Sequence, residues 1–363
     1  SNTTEILTPE IDAFINGVLE QWNTAGGAAV AVVRLDAQGI WTVETKGYGV
    51  AKADGTKVGP DTIFSIGSNS KLFDILATGL LISNQSLSPQ ITWTTKIASM
   101  LPDWKLMDPV ASAESTIMDL MSHRTGLPRH DLSFSAEDDV ATLVKRLRYL
   151  KPSTGFSRTL QYTNIMYAVL SYLPTALLSD APPFARYAAQ HLFVPLGLNS
   201  TTYSFAAANA TGRMSDGFAR VGVNTSENPV GRGTPLVLPY FLPDARWLQM
   251  LLLNGQHPET NETVVPAAII HQVATGIMVY DGFAEEPELS PTVYGGGQIQ
   301  SSYRGHGAFT PRPSISITRF LVDGLGIAVL TNDDTFGQSF REVIKYRIAD
   351  EAFGLPPVDW NSR

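Results

Sequence analysis

The chain contains no cysteine in its 363 residues, which excludes disulfide bonds, thiolate nucleophiles and cysteine-ligated metals together. It also lacks an excess of positive charge. With 26 Lys and Arg against 34 Asp and Glu, the formal net charge is -8, and without a basic cluster a nucleic-acid partner is not expected, because phosphate binding needs a positive surface. No apolar run approaches the roughly 20 residues that span a bilayer; the longest patches are GGAAVAVV and MLLL, so no membrane partner is expected. The G-x-S-x-G elbow of α/β-hydrolases is missing too, GFSRT from Gly155 being the nearest approach. The six histidines are scattered without H-E-x-x-H or similar ligand spacing, so neither a metal nor a cofactor is implied.

What is present is a core-forming chain, 44% apolar, long enough for one large domain or two lobes. Thr8 and Pro9 open an amphipathic helix with Ile11, Phe14, Ile15 and Val18 at helical spacing. AAVAVVRLD and IWTVETKGYGVA, separated by AQG, read as a β-hairpin. The middle of the chain is mostly helical, with segments predicted near 70–84, 115–122, 139–150, 163–179, 183–194 and 246–254. From about Tyr294 β patterns return, and SFREVIKYRIADEAF closes the chain as a second amphipathic helix. The expected fold is α+β: an antiparallel sheet built from both chain ends and flanked by the terminal helices, with a large helical lobe inserted. Residues 1–63 and 291–363 would form the sheet lobe and 64–290 the helical lobe, with the active site at their interface.

Six N-x-S/T sequons occur, at Asn2, Asn84, Asn199, Asn209, Asn224 and Asn261. Chance would give about two or three. The excess points to a glycosylated, secreted eukaryotic protein, a monomer by default. The start at Ser1, without an initiator Met or signal-like region, is what a processed mature chain or a trimmed one would show.

The chemistry begins in FSIGSNSKLFDILATGLLI, Phe64 to Ile82. Ser68 and Lys71 sit three residues apart where a small-residue turn meets an apolar helix. One reading makes Ser68 a helix cap and Lys71 a solvated side chain. The other makes Ser68 a nucleophile and Lys71, one turn on, its base, with helix N–H groups available to an oxyanion and burial lowering the amine's pKa. LQYTNIMYA supplies Tyr162-x-Asn164, the single Y-x-N of the chain; by itself this reads as a capped helix beside a core tyrosine. Two neighbouring cations would make the Tyr162 phenol, with its ordinary pKa near 10, a usable base. YRGHGAFTP adds His306-Gly307-Ala308 on a late strand, where glycine would admit a substrate close to the backbone.

These elements, in this order, resemble the serine β-lactamase and penicillin-binding superfamily, and more closely its class C-like branch of carboxylesterases, D-aminopeptidases and acyltransferases. LMSHRTGLPRHD, Leu120 to Asp131, is similar to a further segment of that branch. The resemblance implies acylation of Ser68, proton transfer by Lys71 and Tyr162, and a contact of Asn164 with Lys71 or substrate. It implies an oxyanion hole from the Ser68 and Phe309 N–H groups, and His306 standing near Tyr162. Ser122 and His123 read as structural. Ala308 departs from the family's usual glycine, and Phe309 follows where a small residue is common. A neutral His306 in place of the third-motif lysine favours small uncharged esters, with hydrolysis or acyl transfer to an alcohol. A D-amino-acid peptidase or β-lactam hydrolase on the same site is the alternative, and a non-catalytic scaffold a third reading.

Overall fold

A computed structural model describes residues 5–135, 138–219, 241–242, 245–310 and 316–363. The chain divides into two compact units: residues 1–70, 196–261 and 306–363 form the first, and residues 71–195 and 262–305 the second.

The first unit is built on the hairpin read from the sequence. Strands β1 (Gly27–Leu35) and β2 (Trp41–Gly49) pair antiparallel, with Val32 opposite Glu44. The order continues from β1 through the C-terminal strand Leu325–Thr331 to Ser316–Phe320 and then His306–Thr310. Val30 faces Val329 and Val32 faces Ile327, so a β-branched pair from each chain end meets at the sheet's centre.

Helix α1 (Pro9–Gln21) starts as its sequence dictates. Thr8 accepts a hydrogen bond from the Ile11 N–H, and Pro9 fills the first helical position. Its buried Ile11, Ile15 and Val18 face the closing helix Gly337–Phe353, whose Phe340, Ile344 and Ile348 are also buried. Arg347 ties the two helices through Glu10 at 3.1 Å.

Residues 196–261 were expected in the helical lobe, yet they belong to the sheet unit. The cause is the helix Ala245–Leu252, whose buried Trp247 and Leu248 pack on the sheet. A Cβ at Gly326 would lie 2.6 Å from Leu248 Cγ, so the strand accepts this helix only with glycine there. The sheet unit resumes at His306, later than the expected boundary at 291, and residues 291–305 fall in the second unit.

The second unit carries the helices. Helix α2 (Ser70–Ile82) buries Leu72, Ile75, Leu76 and Leu81, and α3 (Asn164–Leu177) buries Ile165, Met166, Val169, Leu170 and Leu173. The predicted segments at 115–122, 139–150 and 183–194 form shorter helical pieces at Ile117–Met121, Val140–Arg146 and Phe184–Ala188. Strands Met278–Asp281, Thr292–Tyr294 and Ile299–Tyr303 form an antiparallel run in this unit. Among the described residues no helix is long and apolar enough to cross a membrane.

Candidate active site

The site is built from the turn that feeds α2. Gly67 takes φ +47°, a conformation that favours glycine, and the tight turn Gly67–Asn69 runs straight into α2. Ser70 Oγ donates to the Gly67 carbonyl at 2.7 Å, and Asn69 Nδ2 donates to the Ile66 carbonyl at 3.1 Å. The turn is thereby pinned from within. Ile66, Gly67, Asn69 and Ser70 are buried, whereas Ser68 is half-buried and keeps access to solvent.

Lys71 opens the second unit and is 6% exposed. Its ammonium donates to Asn164 Oδ1 at 2.8 Å and lies 4.9 Å from the centroid of the Tyr162 ring. Burial, the largest influence, lowers the amine from 10.5 to about 8, with Asp74 and Asp131 opposing and Arg129 adding to the fall. Asp74, one turn further along α2, is buried and its carboxyl is pushed well up. The backbone of Lys71 is itself tightly enclosed. Gly297, at φ +68°, approaches so closely that a Cβ there would meet the Lys71 carbonyl carbon and the Leu72 nitrogen at 2.9 Å.

Tyr162 is held from behind by His123, which is fully buried. The two rings lie 4.5 Å apart, His123 Nδ1 accepts from the Thr163 N–H at 3.3 Å, and its carbonyl accepts from the Gln161 N–H at 2.8 Å. An accepting Nδ1 leaves the proton on Nε2, which faces Tyr294 Oη at 3.1 Å. Burial, and then the charge of Lys71, push the imidazole pKa well down, so this histidine is neutral and supports the tyrosine. Ser122 donates to the Met118 carbonyl at 2.7 Å. Both residues take the structural parts expected of them.

Two residues that the sequence reading did not assign complete this cluster. Asn164 Nδ2 donates to Asp131 Oδ1 at 3.2 Å, and the other carboxylate oxygen accepts from Arg129 Nε at 2.9 Å. The Arg129 guanidinium sits 5.8 Å from the Tyr162 ring centroid, so two cations flank that ring. The available signal was the segment LPRHD, whose charged pair follows a turn.

The third motif lies in the first unit. His306 stacks on Phe353 with centroids 3.7 Å apart and planes 6° apart, and its Nδ1 lies 2.9 Å from Asp323 Oδ1. The ring is thus engaged by the C-terminal helix and by the turn between the strands Ser316–Phe320 and Leu325–Thr331. By strand alternation His306 shares a face with buried Ala308 while Gly307 and Phe309 take the other. Phe309 pairs across the sheet with Arg319, whose guanidinium lies 4.9 Å from the Phe309 ring. Among the described residues no group of His, Asp and Glu side chains could hold a metal ion.

The Beta-lactamase family model matches residues 15–351. The chain belongs to this family of serine hydrolases. A curated protein described as an unguisins hydrolase, from Aspergillus campestris, is 28% identical over 98% of this chain and 68% of its own length. Among solved structures, the octameric penicillin-binding protein homologue from Pyrococcus abyssi superposes with a TM-score of 0.76 at 16% identity, covering 96% of this chain and 78% of that one. The D-amino acid amidase from Ochrobactrum anthropi SV3 gives 0.72 at 15% identity over 95% of this chain and 99% of the amidase. A hydrolase with promiscuous acyltransferase activity gives 0.64 at 18% identity, with 95% and 99% covered. At such identities the structural likeness establishes the β-lactamase/transpeptidase fold.

Proposed function

We propose that the protein is a carboxylic ester hydrolase that forms an acyl-enzyme on Ser68 and can pass the acyl group to an alcohol as well as to water. The observation that carries this reading is Lys71, an amine lowered to about 8, bonded to Asn164 and set against Tyr162, one helical turn after a solvent-accessible serine. Neutral Lys71 takes the Ser68 proton as Oγ attacks the ester carbonyl carbon. The backbone N–H groups of Ser68 and Phe309 are assigned to the oxyanion. Tyr162 delivers the proton to the departing alkoxide, and the same groups activate the water or alcohol that releases the acyl chain.

Esters lead over amides because an alcohol departs with less protonation than an amine. Uncharged substrates are proposed because a histidine, His306, stands in the third motif where a lysine would attract a carboxylate. Amide hydrolysis is the second reading, favoured by the likeness to a D-amino acid amidase.

Secretion and glycosylation belong to the same proposal. Asn199, Asn209 and Asn261 are exposed and Asn84 is half-buried, whereas Asn2 and Asn224 lie outside the described residues. Peptide N-glycosidase treatment of native protein should lower its mass. A monomer is proposed, to be checked by light scattering.

An organophosphonate should label Ser68, located by mass spectrometry; a label on another serine with Ser68 untouched would end the acyl-enzyme reading. Rates on short-chain, aryl and hydroxycinnamate esters, compared with a D-amino acid amide and a cephalosporin, then choose between ester and amide. A cephalosporin or amide turned over faster than every ester would replace the leading reading with the second.

A further inference from the structure

The proton-transfer reading above asks for cationic stabilisation of the Tyr162 phenolate. His306 is held by Phe353 and Asp323. Among the described residues, Lys71 at 4.9 Å and Arg129 at 5.8 Å stand within 6 Å of the Tyr162 ring centroid.

Arg129 is no ordinary surface cation. An exposed Arg–Asp pair two residues apart is by default a solvated contact of little consequence, and at 60% side-chain exposure Arg129 fits that description by itself. The difference lies in what Asp131 does with its second oxygen. That oxygen accepts from Asn164 Nδ2, while Asn164 Oδ1 receives Lys71. The guanidinium is therefore fastened through its Nε to Asp131, the carboxylate that in turn holds the asparagine receiving the lysine, and its position over Tyr162 is fixed by the site's own hydrogen bonds.

We propose that Arg129 is a positioning residue that acts through Tyr162, as the second cation that holds its phenolate, with Asp131 fixing the guanidinium in place. This rests on the serine hydrolase reading above. Of the described rings near Tyr162, His123 at 4.5 Å is buried and neutral, and Tyr294 and Tyr167 are buried phenols whose pKa values are pushed well up by burial. Asp131 offsets part of the Arg129 charge, and Asp74 is a buried carboxyl pushed toward its neutral form. A unit charge near 6 Å at an effective dielectric between protein and water moves a phenol by about half to one pH unit.

The sign follows from the charges. Removing Arg129 makes both phenolate and neutral amine harder to form, so the acid limb of activity moves to higher pH. Arg129→Gln should raise the limb by about half to one unit, a three- to tenfold loss of kcat/KM at pH 7 that is recovered at high pH. Arg129→Lys should restore most of it. Asp131→Asn, which leaves the guanidinium unbalanced, should move the limb the opposite way whatever it does to the maximal rate. A second readout does not need turnover: tyrosinate absorbance of each protein minus that of its Tyr162→Phe counterpart reports ionisation of Tyr162 alone, and should shift with the limb.

Limb and tyrosinate titration both unmoved to within about 0.2 unit in Arg129→Gln would overturn the proposal, as would an Arg129→Lys shift as large as that of Gln. If no ester or amide is turned over but the difference titration moves as described, the electrostatic role stands and the hydrolase reading fails.

Discussion

Burying Lys71 should make the protein more stable without it, in a way that depends on pH. Lys71 is 6% exposed, and burial is the main reason its amine falls from 10.5 to about 8. A folded-state pKa below the unfolded one means that the unfolded chain binds more protons between about pH 8 and 10.5, so stability rises with pH across that window. Below it the folded protein carries the full cost of a buried ammonium, which at about 1.4 kcal/mol per pH unit comes to about 3 kcal/mol at pH 7, and about 1 kcal/mol remains at pH 10. Lys71→Met keeps the volume and abolishes the titration, while losing the bond to Asn164, worth about 1 kcal/mol at any pH. The variant should therefore exceed the wild type by about 2 kcal/mol at pH 7 and match it near pH 10. Urea unfolding of both proteins at the two pH values measures this, since other titrating groups cancel in the difference. A wild-type to variant difference that stays constant with pH would refute the depressed amine and with it the neutral base. The variant should also lack turnover, and wild-type kcat should fall as pH drops below about 8, because protonated Lys71 cannot take the serine proton.

Tyr162→Phe removes one oxygen from a ring packed on His123, so substrate binding should survive while kcat falls by about 10²–10⁴; steady-state kinetics retaining a tenth or more of the rate would remove Tyr162 from the proton path. His306→Ala loses the Phe353 stack and the Asp323 contact and should cost about 1–2 kcal/mol in urea unfolding, with kcat/KM changed by less than threefold. A tenfold fall in kcat/KM at unchanged stability would make His306 part of the reacting site. Ser68→Ala should abolish turnover and leave the melting temperature nearly unchanged, since a half-buried hydroxyl supports little of the core.

Periodicity and local chemistry made much of this protein legible. Thr8 and Pro9 fix the start of α1 by capping, and the apolar stripe after Ser68 has the helical repeat of a buried face. The alternating β-branched runs at both chain ends are strands because that pattern suits a pleated surface, and they pair as the pattern suggests. The spacings Ser68 to Lys71 and Tyr162 to Asn164 are covalent facts, so the family was readable before any fold was known.

What the sequence could not carry is direction and distance across long separations. Strand alternation places His306 and Ala308 on one face, but only packing against Phe353 decides which way that face looks. Asp131 and Asn164 are 33 residues apart, and Arg129 meets Tyr162 only once that loop is folded onto the start of α3. The helix at 245–252 reads as helical from its own pattern, whereas its membership of the sheet unit depends on Gly326 leaving room for Leu248. The fall in the Lys71 pKa is likewise a tertiary result. A lysine has the same intrinsic pKa in any sequence, and here burial, with the Tyr162 and Tyr167 rings beside the ammonium, denies its charge water.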